Sequence, residues 1–168
     1  MAAAAATIAS VPAAAQAQIS IGVAGGPVTP AGALSDVVQK GFHGGVVLEL
    51  GVPVLPLGIR ADVMYMRLPG VGDGRNLNDV FGTLNGSLSL LPIPVLSAYA
   101  SAGVGIYSSS FAVDAPTTTG RTTDYGLNAG VGGSIDLIVI RPFVEVRYHR
   151  VLSEPNRDFV PITVGIFF

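Results

Sequence analysis

The chain has 168 residues and a formal net charge of −2, a length that suits one domain and a charge balance that offers no basic surface to nucleic acid. Hydrophobic residues make up 49% of the sequence and charged residues 12%, an unusually apolar composition for a soluble domain. Cysteine is absent, which excludes disulfide bonds, thiol chemistry and cysteine-based metal sites.

The distribution of the apolar residues narrows the fold class. No strongly apolar run reaches the roughly 20 residues that a membrane-spanning helix needs. The 22 glycines and 12 prolines disfavour a helical bundle. Two possibilities remain: a large soluble core, or a barrel whose apolar residues occupy every second position.

The first 17 residues have the character of a leader. They are alanine-rich and uncharged, and they end in Ala15-Gln16-Ala17, which matches a signal-peptidase site. The positively charged start of a signal peptide is missing, so a clipped signal peptide and a low-complexity leader are the two interpretations. We expect a cleaved leader at 1–17 and a single domain at 18–168.

From Gln18 onward, eight segments alternate apolar and small or polar residues with the period of two that indicates strands. The final segment shows the pattern well: Val160, Ile162, Val164 and Ile166 share one face with Phe168, and smaller or mixed residues occupy the other. In chain order, the segments cover residues 18–25, 42–50, 57–67, 80–90, 96–107, 122–137, 142–150 and 160–168.

The connections between these segments alternate in length. Long, turn-rich links cover 26–41, 68–79, 108–121 and 151–158, and short links cover 51–56, 91–95 and 138–141. An up-and-down membrane barrel has this order, with long loops at one end and short turns at the other, whereas a Greek-key sandwich does not. The sequence therefore predicts an all-β fold, an eight-stranded antiparallel up-and-down transmembrane β-barrel.

Six charged side chains within the segments fall on the face opposite the apolar one. An Arg or Lys on the lipid face of a barrel costs about 2–4 kcal/mol at the membrane midplane, so these charges are expected inside. In so narrow a lumen we expect an ion-pair network that plugs the barrel, and a gated proton or ion path is the alternative. The predicted lumenal network comprises Glu49, Arg60, Asp62, Asp136, Glu145 and Arg147.

Three stretches resemble the small eight-stranded outer-membrane barrels, a family that includes the OmpA membrane domain, OmpX and opacity-type proteins. They are the strand ending in Phe168, the Ser101-Ala102-Gly103-Val104-Gly105 strand, and 141–149, which has the sequence RPFVEVRYH. The resemblance implies an outer-membrane location in a Gram-negative type envelope. It also implies that Phe168 is the signal by which the barrel-assembly machinery recognises the chain.

The residues offer little support for other kinds of site chemistry. The glycine-rich repeats at 101–105 and 128–132 lie inside strands rather than in a strand–turn–helix phosphate loop, which disfavours nucleotide binding. A metal site would need His43, His149 and Glu154 together.

A hydrolytic triad would need His149, Ser153 and Glu154, whose spacing does not match the lipid A deacylase barrels. A soluble lipocalin-like barrel would need an apolar lumen, the opposite of the predicted faces.

At the loop end, outward Phe42, Tyr65, Tyr125 and Tyr148 are expected to form an interfacial belt, with Arg150 near lipopolysaccharide phosphates. We expect a structural or surface-interaction role, in envelope integrity or adhesion, with no open pore, catalytic residue, cofactor or metal. The expected partners are outer-membrane lipids, lipopolysaccharide, the assembly machinery and an external molecule that contacts the long loops. A lipid A-modifying enzyme and a narrow ion-conducting barrel are the alternatives.

Overall fold

The structure is a computed structural model that describes residues 18–51, 56–72, 75–93, 95–112 and 118–168. The predicted leader at 1–17 lies outside these residues. Eight strands account for most of the described chain, and a short 3-10 helix, Gly32–Asp36, follows the first strand. The strands are β1 (Gln18–Ala31), β2 (Gly41–Gly51), β3 (Leu57–Leu68), β4 (Asn76–Pro92), β5 (Leu96–Ala112), β6 (Thr118–Ile135), β7 (Arg141–Val151) and β8 (Arg157–Phe167).

The strands form one closed barrel in sequence order. Each strand pairs antiparallel with the next, and β1 closes the ring by pairing antiparallel with β8, for example at Val23 and Ile166. Closure satisfies backbone hydrogen bonds without leaving a free sheet edge. The predicted eight-stranded up-and-down topology is confirmed. No helix of the described residues is long and apolar enough to cross a membrane.

The two faces of the barrel wall have the predicted chemistry. Outward side chains are exposed and apolar, as at Ile21, Val104 and Val164, while inward positions hold the buried polar and charged residues. On β5 the apolar outward face runs from Leu96 to Ile106. These ten steps of about 3.3 Å, on a strand tilted by about 40°, span roughly 25 Å of height. That height equals the apolar band of an outer-membrane barrel.

The loop-end connections are shorter than the sequence predicts, because the strands continue past the apolar belt. The glycine- and proline-rich stretch that begins at Gly26 was expected to be a loop, yet β1 runs through Pro27 and Pro30 to Ala31. Neighbouring strands still offer pairing partners there, with Val28 opposite Gly41 of β2 and opposite Pro161 of β8. Tertiary pairing therefore overrides local turn propensity.

Lumen-facing glycines make room for large side chains on the neighbouring strands. A Cβ added at Gly165 would lie 2.5 Å from the Phe143 ring and 2.7 Å from the carbonyl oxygen of Val23. By contrast, a Cβ at the outward-facing Gly86 would meet no atom within 4 Å. The interior is thus packed closely enough that one methyl group does not fit.

We predict that Gly165→Ala lowers the free energy of unfolding by about 1–3 kcal/mol, because the methyl group overpacks the lumen. Gly86→Ala is the matched control and should change that free energy by less than about 0.5 kcal/mol. Equilibrium urea unfolding of the folded barrel measures both values. Equal losses for the two variants would show that the lumen is not tightly packed at Gly165.

Candidate functional site

The centre of the lumen contains a neutral ring of four buried charged side chains, which we call the charge ring: Arg60, Asp62, Glu145 and Arg147. Arg60 Nε lies 2.8 Å from Asp62 Oδ1, and Arg60 Nη1 lies 3.3 Å from Glu145 Oε2. Arg147 Nη1 lies 2.7 Å from Asp62 Oδ2, and Arg147 Nη2 lies 2.5 Å from Glu145 Oε1. Each guanidinium therefore bridges both carboxylates, and each carboxylate bridges both guanidiniums.

Neutral polar groups complete the charge ring. Thr83 Oγ1 donates a hydrogen bond of 2.9 Å to Asp62 Oδ2, and Asn85 Nδ2 donates one of 3.1 Å to the same oxygen. Arg60 Nη1 donates to the Tyr99 hydroxyl at 3.3 Å. These bonds matter because buried charges persist only where pairing and hydrogen bonding replace the lost water.

Not every residue of the predicted network joins the charge ring. Arg60, Asp62, Glu145 and Arg147 meet there, but Glu49 lies lower and pairs with Arg141 at 2.5 Å. The structure differs from the prediction at Asp136, which is exposed and lies one residue past the end of β6. The strand alternation assigns Asp136 to the lumenal face. The strand ends at Ile135, however, so the side chain does not enter the lumen.

An aromatic layer lies immediately above the charge ring. It consists of four buried, inward side chains on β4, β5, β7 and β8: Phe81, Tyr107, His149 and Phe159. The His149 and Phe159 rings stack with centroids 4.8 Å apart, and the Phe81 and Tyr107 rings stack at 5.4 Å. The Tyr107 hydroxyl and His149 Nδ1 share a hydrogen bond of 2.8 Å.

Above the aromatic layer, a second ion cluster closes the loop end of the lumen. Arg157 donates a hydrogen bond of 2.8 Å to Asp124 Oδ2 and another to the Ser109 hydroxyl. Ser109 in turn donates to Asp79 Oδ2 at 2.8 Å. Buried Leu34, from the short 3-10 helix, is part of the hydrophobic core at this end of the barrel.

Between these layers little space remains. A cavity of about 10 Å³ lies between the charge ring and the aromatic layer, bordered by His43, Met64 and Thr163; it has room for about one water molecule. A wider cavity of about 170 Å³ lies at the turn end, beside Glu49 and Arg141. Within the described residues, side chains fill the lumen at the level of the charge ring and again at the aromatic layer.

Sequence reasoning missed the aromatic layer and the second ion cluster. The signal was present, because Phe81 lies inside the predicted segment 80–90 on the same face as Thr83, and extending that alternation by one residue adds Asp79 to this face. Extending β8 upward likewise places Phe159 and Arg157 on the lumenal face. Asp79, Arg157 and Phe159 were missed because the predicted segments begin at Val80 and Val160.

The structure does not assemble the candidate catalytic or metal residues. His149 is buried in the aromatic layer, whereas Glu154 is exposed at the outer rim. The Ser153 hydroxyl donates to the carbonyl oxygen of Pro155 at 2.8 Å rather than to a histidine. In the described part of the chain, no group of three His, Cys, Asp or Glu side chains is placed to hold a metal ion.

At the outer rim, the expected Arg150 contact with lipid phosphates competes with an internal partner. Arg150 donates hydrogen bonds of 3.1 and 3.0 Å to the two carboxylate oxygens of Asp158, and one of 3.2 Å to the Tyr148 hydroxyl. These bonds hold the pKa of the Asp158 carboxyl below its usual range. Arg150 is therefore already engaged with an anion of its own chain.

Phe168 lies just past the end of β8. Its side chain points outward and is 69% exposed, and its backbone N–H donates to the carbonyl oxygen of Ile21 at 2.9 Å. Its neighbour Phe167 instead points inward and stacks on Phe143. The role of Phe168 as an assembly signal stays a prediction.

Comparison with known proteins supports the fold. No protein-family model and no curated protein matches the chain. Neisserial surface protein A (NspA) is similar in structure, with a TM-score of 0.71 at 12% identity over 90% of this chain and 97% of that one. The N-terminal barrel domain of Pseudomonas aeruginosa OprF gives a TM-score of 0.54 at 15% identity, covering 91% of this chain and 100% of that one.

A third solved structure, the attachment invasion locus protein Ail of Yersinia pestis, gives a TM-score of 0.51 at 15% identity. The match covers 90% of this chain and 97% of that one. At these low identities the likenesses establish the fold alone. The chain has the fold of the small eight-stranded outer-membrane barrels, as the sequence resemblance implies.

We predict that Arg147→Ala lowers the free energy of unfolding by about 3–5 kcal/mol, because it leaves Asp62 and Glu145 buried with one cation between them. The matched control is Arg141→Ala, which breaks an ion pair open to the turn-end cavity and should cost about 1 kcal/mol or less. Denaturant unfolding in lipid vesicles compares the two. Equal effects would show that the charge ring is hydrated rather than dry.

Proposed function

We propose that the protein is an integral barrel of an outer membrane with a structural or surface-interaction role and no open pore. The observation that carries this proposal is the contrast between the two faces of the wall. An apolar belt roughly 25 Å tall surrounds a lumen filled with charged and aromatic side chains. A soluble barrel needs the opposite arrangement, so a lipid environment is the one that suits this surface.

The upper edge of the belt supports the same position in the membrane. Outward Phe42, Tyr65, Tyr125 and Tyr148 lie at this edge on four different strands. Tyr65 donates a hydrogen bond of 3.0 Å to Asn78, at the start of the polar zone. Aromatic rings with a polar tip favour the boundary between lipid and water. We therefore place the strand extensions and the loop end above the outer surface.

The loop end also supports a surface role. A cleft of about 560 Å³ opens there, with Leu34, Val37 and Phe111 as apolar lining and Arg75 and Glu154 as charged neighbours. Its size is within the usual range for ligand sites, and exposed apolar surface at a rim favours contact with another molecule. Among proteins of this fold, Ail is named for attachment and invasion, which supports a surface interaction here.

The proposed role is neither catalytic nor conductive. The residues that a hydrolase would need, His149 and Ser153, have other partners. An ion crossing the lumen would have to displace side chains from both the charge ring and the aromatic layer. The arrangement is therefore that of a plugged barrel that is anchored in the membrane and holds its loop end above the outer surface.

Insertion is tested with a pair of arginine substitutions. Val164→Arg places a charge in the middle of the apolar belt and should lower stability in lipid vesicles by about 2–4 kcal/mol. Thr123→Arg, in the polar zone above Tyr125, is the control and should cost at most about 1 kcal/mol. Heat-modifiable gel migration checks that each variant folds, and denaturant unfolding measures the loss.

The same preparation tests the absence of a pore. Planar bilayers containing the folded wild-type protein should show no stable conductance steps in salt solution. Steady steps from heat-modifiable protein would overturn the plugged-barrel proposal, and equal stability of the two arginine variants would overturn insertion.

A further inference from the structure

The outer surface of the barrel has an apolar groove on strands β3 to β6. It has a volume of about 570 Å³, and Gly82 forms part of its lining. Val63 and Ile106 are the register partners of Gly82 on the two neighbouring strands, so the missing side chain leaves a depression between larger ones. The other apolar lining includes Leu84, Val104 and Tyr125.

The depression is not filled by the protein itself. A Cβ at Gly82 would meet only the carbonyl oxygen of Asp62, at 3.7 Å, which is ordinary van der Waals contact. In a membrane, an empty groove would forfeit dispersion contacts on one side, and lipid chains are the atoms available to supply them. An acyl chain is therefore the occupant that this part of the surface fits.

Directly above the groove, the same four strands carry a polar row. Tyr65, Asn78, Ser110 and Thr123 lie on outward positions of β3 to β6, and Ser110 is paired in register with Arg121 of β6. Arg121 is exposed and forms no ion pair with another residue of the described part of the chain. Arg121 is four residues from Tyr125, or about 14 Å along the strand. At that distance, Arg121 is placed to contact a lipid headgroup while Tyr125 contacts an acyl chain of the same lipid.

The neighbouring sector of the rim, at β7 and β8, differs in charge. There Arg150 is held by both carboxylate oxygens of Asp158, so its charge is compensated within the chain. Arg121 has no such carboxylate facing it from its register partner, which is a serine. Guanidinium groups bind phosphate through paired charge-assisted hydrogen bonds, and the sector of β3 to β6 therefore combines an acyl groove with an anion contact.

We infer that this face binds one molecule of a phosphorylated, multi-chain lipid of the outer leaflet. One acyl chain occupies the groove over Gly82, the headgroup hydroxyls meet the polar row, and a phosphate contacts Arg121. This inference rests on the proposed membrane location of the barrel and adds a defined lipid site to it.

The test is retention of lipid A by the full chain in detergent micelles, measured by native mass spectrometry across a lipid titration. Gly82→Leu fills the groove, and Gly86→Leu, on the same face of the same strand but outside the groove, is its control. Gly82→Val serves if the leucine variant fails the heat-modifiability check. Arg121→Gln removes the phosphate contact, and Arg150→Gln is the control for loss of a rim charge.

We expect the apparent affinity for lipid A to fall on the order of threefold to tenfold in Gly82→Leu and in Arg121→Gln, and to stay at the wild-type level in both controls. With a lipid A derivative that lacks its phosphates, wild type and Arg121→Gln should bind equally weakly.

Equal retention by Gly82→Leu and Gly86→Leu would overturn the groove assignment, and equal retention by the two arginine variants would overturn the phosphate contact. Heat-modifiable wild-type protein that retains no lipid A would sink this inference while leaving the proposed function intact. Loss of heat-modifiable migration in the wild type would instead sink the proposed function.

Discussion

A closed antiparallel ladder gives every side chain a choice of only two faces, and the rest of this structure depends on that constraint. Because the apolar residues take the outer face, the charged ones are forced into a lumen that eight strands make narrow. Charges in such a space have little water, so they persist only as mutual partners. The ring of Arg60, Asp62, Glu145 and Arg147 satisfies this requirement with equal numbers of cations and anions.

The layers above the charge ring follow from the same constraint. The aromatic layer around His149 fills the lumen where charge pairing ends, and the cluster around Arg157 satisfies the polar groups near water. Together they fill the lumen between the charge ring and the loop end, as the proposed plugged barrel requires. Side chains are less constrained by packing at two places, the loop-end cleft and the outward surface of β3 to β6. These are the two places at which we propose contacts with other molecules.

Local patterning was sufficient to predict the strands, their order and the inward face of the four charge-ring residues, because a period of two is encoded within each segment. It could not predict where strands end. Pro27 and Pro30 favour a turn, yet pairing with β2 and β8 extends β1 past them. The pairing of charged side chains could not be predicted either. Glu49 pairs with Arg141, 92 residues away, because the strand register around the whole barrel sets the relative height of the two residues. Asp136 has lumenal parity but lies beyond the last residue of β6.

The lipid exposure of the outer face is the central claim, and the absence of native cysteine allows a clean measurement of it. Single cysteines at Val160, Ile162, Val164 and Ile166 would carry spin labels in the vesicle-reconstituted protein. Labels at these positions should show high collision rates with oxygen and low rates with a water-soluble nickel complex. The contrast should be most extreme at Ile162 and Val164 and reversed for a label at Thr123. Nickel accessibility at Val164 equal to that at Thr123 would contradict this claim.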